Sequence, residues 1–457
     1  MGTEGLGEHE DYGERVEDDW QSEREKGTGT MTNQSSKERP TWRMTTKAMA
    51  AGLLVAVMAA YLILVGQTAQ AATTFTVNLP GDTHDADLGD GLCDVNLFGS
   101  GQQCTLRAAI EQANATPGAD VINFNIPDDF GAGVKTINVG STGNGGLTPI
   151  TDQVTINGYS QPGASPNTVA RGTNANLLIE LNGADAGSGD GLSIDAGGSG
   201  SLIKGLVINR FSNQGIDVSS PSDAQTNVKI EGNFVGTDPT GMAALPNRGD
   251  GIEMDASNSV VGGSTPAKRN LISGNDVDGL SVSVAKDVRV EGNLVGTEAD
   301  GVGALGNGFN GVDVCCSVGA SILRNSIYSN DQLGIDLGVD GRTPNDLGDA
   351  DTGANALQNF PVLSSAKTVS GKTTIKGKLN SRSNAGYLIQ FFSNPSGDEG
   401  KMFIGQKSVT TDDSGNASFT FTPSSVVKVG QTITATATKD SNSNTSEFSA
   451  PRTVASS

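Results

Sequence analysis

Between Gly191 and Leu337 the chain repeats a four-residue phrase six times: a glycine, an apolar residue, a small or acidic residue, and a second apolar residue. The copies are Gly191-Leu192-Ser193-Ile194, Gly215-Ile216-Asp217-Val218, Gly251-Ile252-Glu253-Met254, Gly279-Leu280-Ser281-Val282, Gly311-Val312-Asp313-Val314 and Gly334-Ile335-Asp336-Leu337. Between them run alternating stretches that end in asparagine, such as Val228-Lys229-Ile230-Glu231-Gly232-Asn233 and Val290-Glu291-Gly292-Asn293. Strands this short cannot bury a face alone. Their spacing is irregular and falls to about two dozen residues at its tightest, so the pattern predicts a stacked β-solenoid whose coils bury one another. Stacking would set Asp217, Glu253, Ser281, Asp313 and Asp336 in one solvent-facing row, and Asn209, Asn233, Asn275, Asn293 and Asn330 in a structural amide row at a corner.

One segment breaks the β pattern. Leu106, Ala109, Ile110 and Ala113 share a helical face behind Thr105, a residue suited to cap the N-terminus, and Pro117-Gly118 ends the run. A solenoid end exposes apolar side chains, and this helix is the natural lid. Segments 237–250 and 297–310 align as matching corner loops, the usual place for a binding surface on such a scaffold. After Asp351 the pattern changes to longer alternating stretches over 374–379, 388–392, 402–410, 417–421 and 432–438, which predict an immunoglobulin-like β-sandwich.

Composition changes the picture in two ways. Glycine supplies 62 of 457 residues, which suits tight turns around a narrow core. The net charge of -21 excludes nucleic acid as a partner, since nothing would offset phosphate repulsion. At the N-terminus, Lys37, Arg39, Arg43 and Lys47 precede the apolar run 48–65, and Ala69-Gln70-Ala71 follows it. A basic flank, an apolar run and a small-x-small site make a signal peptide cleaved after Ala71. An uncleaved anchor helix is the alternative, because the run is just long enough to span a bilayer. Residues 1–30 are acidic and fit neither reading; a start at Met31 or Met44 would leave a conventional leader. Beyond residue 71 the charge is about -17, and no membrane span is expected after cleavage. Export favours a disulfide between Cys93 and Cys104, which bracket a short loop. Cys315 and Cys316 are adjacent in a strand, so their side chains should point to opposite faces, one of them buried and inert, with a strained vicinal disulfide as the alternative.

The run Cys104-Thr105-Leu106-Arg107-Ala108-Ala109-Ile110, with Ala113-Asn114-Ala115 and Gly118-Ala119-Asp120-Val121-Ile122-Asn123-Phe124, resembles the CSLREA domain, departing from its hexapeptide at Thr105 and Ala108. The blocks Gly232-Asn233-Phe234-Val235-Gly236-Thr237 and Gly292-Asn293-Leu294-Val295-Gly296-Thr297 look like the same group. The resemblance covers roughly residues 73–450. It implies a bacterial exported protein with a right-handed parallel β-helix of the pectin-lyase-like fold, and it implies no particular catalysis.

Beyond residue 71 there is a single histidine, His84, which argues against a Ser-His-Asp triad, a His-rich zinc site and the polygalacturonase branch of the β-helix enzymes. For lyase chemistry, which pairs an acidic calcium site with a basic proton acceptor, the candidates are Lys229 with Glu231 and Arg289 with Glu291; ordinary surface ion pairing is the competing reading. Asp217 and Glu253 stack at the spacing of a retaining glycosidase pair, yet would point the same way. The acidic loop 340–355 offers Asp340, Asp346, Asp349 and Asp351 as oxygen ligands for Ca²⁺, with Asp85, Asp87 and Asp90 as a weaker second set.

The expected organisation is therefore an extension and signal peptide (1–71), a CSLREA-like cap (72–130), a β-helix (131–340), an acidic linker with a possible calcium site (341–362) and an Ig-like sandwich (363–457). The expected role is a monomeric, secreted or wall-associated scaffold that binds polysaccharide or another surface ligand without catalysis. The alternative is a polysaccharide lyase or glycoside hydrolase.

Overall fold

Short runs in which every second residue is apolar can only be buried from one side, and the chain solves this by winding. The computed structural model describes residues 71–99, 101–219, 226–338 and 340–456; the proposed leader, with its apolar run 48–65, lies outside them. Three parallel sheets form the walls of a β-helix. The first holds eight strands, from Thr74–Val77 and Asp120–Phe124 through Lys229–Glu231 and Arg289–Glu291 to Ser321–Leu323. The second holds seven, from Lys135–Asn138 to Ser326–Ile327, and the third six, from Leu192–Ser193 to Ile335–Leu337. The third sheet is the repeated phrase itself. Segment 72–130, expected as a cap, already contributes the first two strands of the first sheet.

Inside the coil, apolar residues stack on their own kind. Leu192, Ile216, Ile252, Leu280, Val312 and Ile335 form one column and Ile203, Ile230, Val261, Val290 and Ile322 another, all buried. The phrase begins with glycine because successive coils touch there. A Cβ on Gly215 would sit 2.7 Å from the carbonyl oxygen of Gly251, and one on Gly251 or Gly279 would sit 2.6 or 2.7 Å from the next glycine carbonyl. Those carbonyls accept the ladder hydrogen bonds of Ile216, Ile252 and Leu280, so a side chain would force the coils apart.

The single amide row expected from sequence resolves into two. Asn233, Asn270, Asn293 and Asn325 form one ladder, each side-chain amide donating to the Oδ1 of the next at 2.9–3.3 Å. Asn247, Asn275, Asn307 and Asn330 form the other, at 2.9–3.0 Å. Asn209 belongs to neither; it donates to Glu180 and to the Thr237 carbonyl. Segments 237–250 and 297–310 do correspond: each closes with the same bridge, Thr237 to Ala244 and Thr297 to Ala304. Their asparagines, Asn247 and Asn307, supply the second ladder, and Ala299 packs on Phe234, Leu271 and Leu294 over the outside of the second sheet.

Both ends of the coil are closed. At the first, the helix Leu106–Ala115 packs on the first two strands, with the Thr105 hydroxyl accepting from the Ala108 N–H. Arg107 is buried beneath it, bidentate to Asp82 at 2.9 Å and donating to the carbonyls of Gly145 and Gly146. At the far end stands a β-sandwich of three antiparallel strands (Val362–Val369, Lys372–Asn380, Asn416–Phe421) against four (Met402–Thr410, Gly386–Asn394, Thr432–Lys439, Arg452–Thr453). Its Phe392 and Phe448 join the solenoid core. Glu399 takes over from the next asparagine by accepting from Asn330, and Phe448 stands where the next coil would meet Gly334. Within segment 341–362, Asp349, Asn355, Gln358 and Asn359 are buried, with Asn355 bonding both Ala320 and Thr445.

Candidate functional site

The outward column of the third sheet is in register as the phrase implies: Ser193, Asp217, Glu253, Ser281, Asp313 and Asp336 pair in succession. It does not splay into water. Asp217 and Glu253 are half-buried, while Asp313 and Asp336 are only 3% and 4% exposed. A second column of acids, which the sequence reading did not single out, accounts for part of this. Asp190, Asp250 and Asp278 each stand just before the glycine, and Asn310 occupies the same place in the fifth copy. Asp190 accepts the Gln214 N–H, Asp250 that of Asp278, Asp278 that of Asn310, and Asn310 that of Leu333, at 2.6–3.1 Å. The signal was legible as an acid or amide before glycine in five of six copies, Asp190, Gln214, Asp250, Asp278 and Asn310. Asp255 flanks the row on its other side.

Burial sets the electrostatics of this face. It pushes the carboxyl of Asp217 up to about 6, and those of Asp250, Asp255 and Asp313 to about 7; neighbouring carboxylates add to the shift in each. Burial also raises Asp190, Asp278 and Asp336. One oxygen each of Asp217, Asp255, Asp313 and Asp336 is buried without a hydrogen-bond partner. Such a face can share protons near neutral pH, accept hydroxyl donors or collect cations.

The first sheet separates the two candidate pairs. Glu231 pairs with Lys268 at 2.7 Å while Lys229 is exposed. Arg289 does pair with Glu291 at 2.7 Å, and Glu291 also takes Arg324. Val260 lies between Lys229 and Arg289 in the stack, and Gly262 between Glu231 and Glu291. The result is two ion-pair sets with one coil between them, and among the described residues neither stands beside a gathered acidic cluster.

In the junction segment, ligand-capable oxygens of Asp346, Asp349 and Asp351 lie within 4.8 Å of one another. Asp349 accepts from the Asn359 N–H and the Ser381 hydroxyl, Asp346 from the Ala350 N–H, and Asp351 keeps a buried oxygen without a partner. Burial raises the carboxyls of Asp349 and Asp351, and the neighbouring acids raise them further. An oxygen-only set of this kind fits a hard cation. Asp340 is not in the group: it is exposed and stands near Asp336, extending the acidic face. Asp85, Asp87 and Asp90 are not gathered either, because each caps a turn N–H of its own loop.

Cys93 and Cys104 are disulfide-bonded with Cα atoms 5.2 Å apart. Cys315 and Cys316 depart from expectation. The strand ends at Cys315, Cys316 turns into the left-handed region (φ 61°), and the two sulfurs come within 2.9 Å with neither side chain buried. The contact with Cys316, together with burial, pushes the Cys315 thiol up to about 11.

No protein-family model and no curated protein matches this sequence. Among solved structures, a double mutant of the periplasmic alginate epimerase AlgG aligns with a TM-score of 0.23 and 13% identity, over 51% of this chain and 62% of that one. A likeness this distant assigns no residue and no activity.

Proposed function

We infer that the protein is an exported scaffold that holds a polysaccharide along the outer face of the third sheet without cleaving it. The observation that carries this reading is the in-register row Asp217, Glu253, Ser281, Asp313 and Asp336, repeating at the strand spacing of about 4.8 Å along a rigid coil, with the half-buried carboxyls of Asp217 and Glu253 still reachable as hydrogen-bond acceptors. Sugar hydroxyls are donors of the right kind. A polyuronate would be repelled by this face, so a neutral or amino-bearing glycan is the expected partner. Export is supported by the leader-like segment before Ala72 and by the resemblance of 104–124 to the CSLREA module. The C-terminal sandwich suits a spacing or binding module, and Ca²⁺ at Asp346, Asp349 and Asp351 would brace it against the solenoid.

The experiment is a glycan panel with two readouts, retention and turnover. Saturable retention of neutral or amino glycans, weakened by Asp217→Asn and Glu253→Gln, is the expected result. Retention that ignores both variants would sink the assignment to this face. The competing reading is a glycoside hydrolase, favoured by the adjacent carboxyls of Asp217, at about 6, and Glu253. New reducing ends that vanish in Asp217→Asn would establish it instead.

A further inference from the structure

Away from the acidic face, a cleft of about 430 Å³ opens where the last coils meet the sandwich. Four cations line it, Arg171, Arg269, Arg324 and Lys401, against one carboxylate, Glu291. That carboxylate is already occupied, since Arg289 and Arg324 both pair with it. Arg269 spends its nitrogens on carbonyls, donating to Gly292, Gly172 and Ala170 at 2.6–3.0 Å, so it neutralises no acid while pinning the loop that carries Arg171. Lys401 donates to the Val302 carbonyl at 2.7 Å and lies 4.1 Å from the Tyr328 ring centre; Asp300 is the acid that acts on it. Adding Arg289 and Asp300 to the count leaves the same surplus of three positive charges. In a chain of net charge -21 a concave basic site is not a by-product of composition.

The chemistry of the lining narrows the ligand. Guanidinium groups grip planar or tetrahedral oxyanions through paired N–H donors. The Thr265 hydroxyl offers a hydrogen bond, the Ser326 hydroxyl donates to the Lys401 carbonyl and can still accept from a sugar hydroxyl, and Phe403 offers an apolar wall. A cleft of this volume matches a small organic ligand rather than a polymer, and low-dielectric walls focus its field against the repulsion of the chain as a whole. We propose that this cleft binds a sugar of one or two rings carrying a carboxylate or a phosphate, gripped by Arg171 of the solenoid and Lys401 of the sandwich, with Arg269 and Arg324, whose donors are held by carbonyls and by Glu291, adding positive charge to the wall. The ligand would tie the two parts together. The assignment is independent of the third-sheet reading, because neither site shares a residue with the other.

Isothermal titration of the full chain tests it with galacturonic acid, glucose 6-phosphate, inorganic phosphate and glucose, each at low and high salt. The expected result is one saturable site for the sugar acid or the sugar phosphate that weakens with salt, with no binding of glucose. Arg171→Gln and Lys401→Gln should each reduce affinity roughly tenfold, while Lys378→Gln, an exposed cation outside the cleft, leaves it unchanged. Arg171 is exposed, so its variant is expected to fold, and circular dichroism checks this. Failure of both sugar anions to bind folded protein would overturn the proposal. So would inorganic phosphate binding as tightly as the sugar phosphate, or variants that bind like the parent.

Discussion

At the scale of single residues, buried charge separates what is held from what is strained. Arg107 is 2% exposed and Asp82 fully buried, and each satisfies the other with backbone groups filling the remaining valences. Removing one partner leaves a lone buried charge. Arg107→Ala should therefore lower unfolding free energy by about 3–5 kcal/mol, measurable by denaturant titration. Asp313 is the opposite case, a buried carboxyl with other acids as its charged neighbours. Its folded pKa of about 7 lies above the ordinary 3.8, so between those values the folded chain binds more protons than the unfolded chain. Stability must fall as pH rises through that window and level off above about 7. Asp217, Asp250 and Asp255 act in the same direction. The melting temperature should be higher at pH 5 than at pH 8, and Asp313→Asn should narrow the gap by raising the pH 8 value. A gap that the variant leaves unchanged would contradict the burial of this group.

At the scale of elements, the junction segment shows how a loop gains rigidity from its neighbours. The sequence offered four aspartates; three converge because Asn359 and Ser381 hold Asp349 while Asp346 closes a turn on Ala350. Asp340 lies at the other end of the segment, near the third-sheet row. Binding to the folded state alone raises stability with ligand concentration, by about 2.7 kcal/mol at a hundredfold excess over Kd. Millimolar calcium should raise the melting temperature relative to chelator, and the triple variant Asp346→Asn, Asp349→Asn, Asp351→Asn should show no calcium response. An equal rise in the triple variant would move the cation elsewhere, most plainly to the third sheet.

At the scale of the whole molecule, the sandwich completes the solenoid. The last asparagine of one ladder ends on Glu399, the last phrase glycine meets Phe448, and main-chain groups of Gly319, Ile322 and Leu337 bond to Asn444, Thr445 and Glu447. Removing residues 362–457 would expose the end of the core and leave these donors without partners. The shortened chain should aggregate, or melt well below the parent by calorimetry. An unchanged melting temperature would mean that the coils close themselves.

The periodicity of the chain was enough to specify a coil. A glycine and alternating apolar residues recurring along the chain have one economical solution, parallel strands stacked in register, and the phrase from Gly191 to Leu337 became the third sheet with its acidic row aligned. Local chemistry likewise placed the helix behind Thr105 and the longer strands from residue 374 onward, though not the first sandwich strand, Val362–Val369. What the sequence left open were relations among residues distant along the chain. Which asparagines share a corner depends on the length of each turn, so one expected row became two and Asn209 joined neither. Whether a carboxylate faces water depends on the columns beside it, so an expected solvent-facing row became half-buried at Asp217 and Glu253 and buried at Asp313 and Asp336. The backbone sign at Cys316 brought together two thiols that strand geometry would separate. Pairing periodicity is a property of neighbours along the chain, but burial, charge balance and the basic cleft arise from groups that only the stacked coils and their sandwich bring within reach of one another.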